Sequence, residues 1–248
     1  MTNTYLYDGS FTSFLALIVT LLNSKITPYD IKSESKYIPN LFDKPAYLKL
    51  DNKKEKINYL KAKLSSIILS RIYYVFLSSD KNKEMIIYDF IKNALYYRSG
   101  ILYRRNIDSV NKVLKISSYV SKETHHMKGF LRFKKMKNFY YAKMEPTNNI
   151  IQLIANHFKK RLSNEYWIIH DEKRKIYAIY NLKNIKYLHD ENILSLNLNL
   201  ADEENSIEDL WKTFFKTVAI KERENKKTQM NFMPKKYWKN IIEMEDRI

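Results

Sequence analysis

Two of the five histidines in this 248-residue chain, His126 and His170, stand beside residues that could use an imidazole. His126 opens the run His126-Met127-Lys128-Gly129-Phe130-Leu131-Arg132-Phe133, which reads as a histidine ahead of a strand with Lys128, Arg132 and Lys134 on its outward face. Imidazole titrates near neutrality and can give or take a proton there. The alternative makes His125 and His126 exposed loop residues and Arg132 an ordinary strand-face charge. His170-Asp171 sets an imidazole beside a carboxylate at a hairpin turn, and Glu145 closes the preceding hairpin just before Pro146. Gathered in one pocket, His126, Glu145, His170 and Asp171 are the candidate catalytic set, for acid-base or metal chemistry. Adjacent strand residues point to opposite faces, so spacing alone does not bring them together. Asp171 equally suits a turn-stabilising role.

A second group of residues suits a polyanion. His157-Phe158-Lys159-Lys160-Arg161 ends a helix, where Lys160 and Arg161 can meet the helix dipole as readily as a phosphate. Further on, cations, amides and aromatics interleave: Arg223, Asn225, Lys227, Gln229, Lys235, Lys236, Tyr237 and Trp238. Lys and Arg meet phosphates, amides reach base edges, and Tyr or Trp can stack on an exposed base. Tyr237 and Trp238 can instead dock a terminal helix on the core.

The formal charge is +17 and the pI near 9.6. Residues 1–120 carry 19 Lys and Arg against 10 Asp and Glu, and residues 121–248 carry 25 against 17, so no detachable tail explains the excess. Such a chain favours a polyanionic partner through counterion release, although abundant Lys, Asn, Ile and Tyr can also reflect an AT-rich genome. The absence of cysteine excludes disulfides, thiolate zinc sites and a cysteine-ligated cluster on this chain. Three glycines leave no phosphate-cradling loop, and G-x-S-x-G and H-E-x-x-H are missing. The apolar stretch from Phe11 to Leu22 is too short to span a bilayer, and Asp8 rather than Lys or Arg precedes it. A cytoplasmic protein without membrane attachment is the expectation.

These residues need elements to position them. Tyr5-Leu6-Tyr7, Asp8-Gly9 and Ser10 read as strand, turn and helix cap, with Phe14, Leu15, Ile18, Leu21 and Leu22 on the helix. Residues 24–53 read as a connection with short elements. Apolar positions three or four apart predict one helix from Lys54 through Ile72, another through Met85 and Leu95, and a third from Ile107 to Val120. Beyond it, Phe130–Phe133 and Phe139–Met144 form a hairpin, a helix carries Ile150 to Phe158, and Tyr166–His170 and Ile176–Tyr180 bracket a polar turn. A helix with Leu210, Trp211 and Phe214 follows, and Pro234 can open a short terminal one. The fold class is α+β: a helical N-terminal portion (1–121), then a small mainly antiparallel strand-strand-helix-strand-strand sheet with C-terminal helices (122–248), in one compact unit.

The chain resembles a bacterial family assigned to DNA metabolism or DNA repair, whose core is a domain of unknown function. The resemblance rests on Tyr7-Asp8-Gly9-Ser10-Phe11, His126 through Phe133, Glu145-Pro146, His157-Phe158 with Arg161, Asn164, and Trp167 through Asp171. It continues through Leu210-Trp211, Arg223, Asn225, Gln229, Phe232-Met233-Pro234 and Tyr237-Trp238. It implies proteins encoded beside a radical S-adenosylmethionine (SAM) protein, some joined to a uracil-DNA-glycosylase-like domain, and hence a role around modified or damaged bases. It carries no assigned reaction or cofactor, and any radical cluster must sit on a partner.

Three functions remain open: a DNA-binding component of base repair or modification acting with a radical SAM enzyme; an enzyme on DNA or nucleotides, hydrolase or glycosylase-like, using His126 and His170; or a protein-interaction module that binds no nucleic acid.

Overall fold

The computed structural model describes residues 2–39, 43–136, 139–189 and 230–241. The protein is α+β, and its chain divides into two compact units, residues 1–121 and 122–248.

In the first unit β1 (Thr2–Tyr7) is followed by a Gly9 turn and α1 (Phe11–Asn23). Gly9 sits at φ +85°, and Ser10 caps α1 by accepting from the Ser13 N–H. The Asp8 carboxylate accepts from Ser10 N at 2.8 Å and Ser13 Oγ at 2.6 Å. Burial opposes its charge, but those bonds and Lys53 outweigh it and hold the carboxyl at about 2.

The connection over residues 24–53 contains two strands, β2 (Asp30–Ser33) and β3 (Asp43–Ala46), both parallel to the central β1. Their four-residue length and the Pro45 on an outer strand hid them from a periodicity argument; they form because β1 offers both edges for pairing. The helix expected from Lys54 through Ile72 is two, α2 (Lys53–Lys63) and α3 (Ser66–Leu77). Leu64 is extended and Ser65 caps α3 through the Ile68 N–H. Next come α4 (Lys83–Tyr97) and α5 (Asp108–Phe130). Phe14, Leu17, Ile18, Ile68, Ile72, Phe90 and Ile91 are fully buried in this unit's core.

α5 corrects the expected strand over Phe130–Phe133. Its buried positions Val113, Ser117, Val120, Thr124 and Met127 keep a three- or four-residue spacing well past Val120, so the chain stays helical through His125 and His126. These histidines therefore occupy neither a strand nor a loop. The strand begins later as β4 (Lys134–Lys135), antiparallel to β5 (Tyr140–Met144).

After α6 (Ile151–Arg161) the chain adds β6 (Trp167–Asp171), parallel to β5, and the expected hairpin to β7 (Ile176–Tyr180). β8 (Ile185–His189), absent from the sequence reading, completes a β4-β5-β6-β7-β8 sheet. Trp167, Ile169, Ala142, Ala178 and Tyr180 are all buried. Phe133 links Phe158 of α6 to Trp167, with ring centroids 4.9 and 6.4 Å away. The 3-10 turn Lys235–Asn240 begins after Pro234, where a terminal element was expected. No helix among the described residues is long and apolar enough to cross a membrane.

Candidate functional site

Glu123 interrupts the apolar stripe of α5 and is buried, so its charge needs compensation. The backbone N–H groups of Thr147 and Asn148 donate to it at 2.8 and 2.9 Å, Asn148 Nδ2 at 2.6 Å and Lys236 Nζ at 3.1 Å. Tyr237 also donates its hydroxyl, at 3.4 Å. Burial raises the Glu123 carboxyl, but these donors and the Lys236 charge prevail and hold it below the usual range. A carboxylate saturated in this way is an anchor for the segment after Glu145 rather than a free base.

That segment is gripped from its other side too. Arg174 donates from Nη1 to the Pro146 carbonyl at 3.1 Å and to Asp171 Oδ2 at 3.0 Å, and also bonds the Thr147 carbonyl. Asp171 is wholly buried and accepts from Arg174 N as well, so it closes the β6–β7 turn. Burial leads and raises its carboxyl despite the arginine.

His170 and Asp171 alternate along β6, and His170 meets different company. Its ring lies 4.0 Å from the Tyr177 ring, nearly parallel, and its Nδ1 is 2.9 Å from the Tyr141 hydroxyl. His126 instead neighbours Phe130 and Tyr237, with centroids at 5.6 and 6.3 Å. The residues in contact with His126 and with His170 are thus different, while Asp171 belongs to the turn clamp.

Cations gather more closely. Lys122 and His125 are exposed on α5, Lys128 is half-buried one turn beyond His125, and Lys160 and Arg161 are exposed at the end of α6. Half-buried His157 lies in the field of Lys128 and Arg161: burial first, then these two cations, push its imidazole down. His126 is pushed down by burial and then by His125, Lys236 and Lys122, with Glu123 pulling the other way. Arg132 turns back to donate to the Gly129 carbonyl at 2.7 Å, capping the end of α5. Lys134 lies on the short outer strand β4, and Lys235 is exposed, 5.7 Å from the Trp238 ring centroid.

Tyr237 and Trp238 are buried, and the Trp238 Nε1–H donates to the Met233 carbonyl at 2.8 Å, so both take the docking role. Arg223, Asn225, Lys227 and Gln229, with the helix expected around Trp211, lie outside the described residues. Sequence reasoning passed over Glu123 and the grip of Arg174. A charged residue inside an apolar helical stripe was the available signal, hidden by ending that helix at Val120.

A family model described as a domain of unknown function, DUF4130, matches residues 81–243. The chain belongs to this family. The DUF4130 match takes in α4, α5, the five-stranded sheet, α6 and the Lys235–Asn240 turn, so the clamp and the cation cluster both fall inside it. No curated protein matches the chain.

Proposed function

We propose that the second unit binds nucleic acid, DNA foremost, through the cationic surface at the C-terminal parts of α5 and α6. The observation that carries this reading is the set of cations at the ends of these two helices, half-buried Lys128 on α5 and exposed Lys160 and Arg161 on α6, with Lys128 and Arg161 both acting on the His157 imidazole. Like charges held together cost stability, and a phosphate backbone relieves that cost while releasing counterions. We include in that surface the exposed Lys122 and His125 of α5 and Lys160 of α6. Tyr237 and Trp238 support it from inside rather than contacting bases.

The resemblance to DNA repair and modification proteins adds the partner: this chain holds DNA for a radical SAM enzyme, which carries the cluster that a cysteine-free chain cannot ligate. Fluorescence anisotropy with labelled single- and double-stranded oligonucleotides tests the binding step. Affinity should fall steeply with salt, and Lys128→Glu with Arg161→Glu should weaken it at least about tenfold and flatten the salt slope by about two. Lys49→Glu, in the first unit, should leave it nearly unchanged. Absence of binding at low salt, or an unaltered slope in the double variant, refutes the reading.

A further inference from the structure

The first unit contains a groove that the DNA surface above does not use. It is lined by Ser66, Ile67, Ser70, Arg71 and Tyr74 of α3 and by Ser121 of α5, and measures about 470 Å³. This falls within the usual span of small-molecule sites, roughly 300–1,000 Å³. Ser66, Ser70 and Tyr74 recur every four residues and so share one helix face. Ser117 and Ser121 repeat the same spacing on α5.

Arg71 organises the groove. It is half-buried, and its Nη1 donates to the fully buried Ser117 Oγ at 3.0 Å. Ser117 in turn donates to the Leu114 carbonyl at 3.2 Å, which leaves its lone pairs for the arginine. Among the described residues Arg71 has no carboxylate partner, and no Asp or Glu lines the groove. A guanidinium keeps its charge at every physiological pH and carries five N–H donors in a planar fork. One bond to Ser117 orients that fork and leaves most of its donors for a ligand.

We propose that this groove binds a phosphoryl group attached to a small organic moiety. The guanidinium and the hydroxyls of Ser66, Ser70, Tyr74 and Ser121 offer more donors than the two oxygens of a carboxylate can accept. A phosphomonoester, with three terminal oxygens and nearly two negative charges, matches them better. The Tyr74 ring and the exposed Ile67 side chain supply apolar contact for the carrier. A free nucleoside 5′-monophosphate and the 5′-phosphate of a DNA strand present the same chemistry.

Calorimetric titration of the full chain with dAMP, deoxyadenosine and inorganic phosphate tests the site. The same oligonucleotide with and without a 5′-phosphate separates the strand end from the free nucleotide as the source. The phosphorylated member of each pair should bind at least about tenfold more tightly, a discrimination expected of an arginine-phosphate contact. Arg71→Gln and Ser70→Glu should each abolish that preference. Ser70 is exposed, so its glutamate variant should melt like the wild type while placing a repelling charge in the groove. DNA binding through the second unit should persist in both variants, which separates failure here from failure of that reading. Equal affinity for dAMP and deoxyadenosine with no preference for the phosphorylated strand, or a preference that survives Ser70→Glu, overturns the proposal.

Discussion

Replacing Glu123 with Ala should be among the most damaging single changes in the second unit. The substitution leaves the Thr147 and Asn148 N–H groups and the Lys236 ammonium without the carboxylate they share. A hydrogen bond to a charged group contributes about 1.5–3 kcal/mol, and removing one partner of a buried charged network costs about 3–5 kcal/mol. Lys236 is half-exposed and recovers part of its loss from water, so the loss should fall near 3–4 kcal/mol. In a chain of this length that is a melting shift on the order of 10 °C. Urea unfolding monitored by tryptophan fluorescence measures it, since Trp238 lies beside the Lys236 contact in sequence. The carboxyl is held below its ordinary 4.5, so the folded state binds fewer protons than the unfolded one. Its contribution is therefore fully present above 4.5 and lost as pH falls through the folded value. A loss under about 1 kcal/mol, or a wild-type acid transition in the Ala variant, would refute the anchor role.

Asp171→Ala should cost about 2–4 kcal/mol, because it strands the Arg174 guanidinium that grips Pro146 and Thr147; Asp171→Asn should recover part of this in denaturant titrations. Gly9→Ala should cost about 1 kcal/mol from backbone strain at φ +85° alone, since the added Cβ would meet Ser33 Cβ at an ordinary 3.9 Å. His126 and His157 should titrate below 6.5 by NMR. A depressed base binds fewer protons folded than unfolded, so both contribute instability as pH drops through 6.5. Bound DNA should raise both values by offsetting the neighbouring cations; values unmoved by DNA would argue against the proposed surface.

The α+β class, the strand-turn-helix at the N-terminus, the β6–β7 hairpin and the helix between the hairpins were all legible from residue order. Each depends on local chemistry: Ser10 capping, Asp8-Gly9 turning, and apolar residues recurring at a helical or strand period. The same local reasoning found Lys128 and Arg161 as cations without showing that both act on His157. It left β2 and β3 as unspecified short elements and missed β8, since such short sequences become strands through neighbours that supply paired backbone groups. It also ended α5 too early, and so misplaced His126.

The sequence by itself determined the charge, the absence of thiol chemistry, the periodic elements and a list of candidate side chains. Tertiary structure alone decided which of those share surroundings. Glu123 and Lys236 are 113 residues apart yet form one ion pair, while His170 and Asp171 are adjacent and divided between different contacts. The reason is physical: side-chain encounters depend on how helices and strands pack and which face each residue takes, and sequence proximity specifies neither.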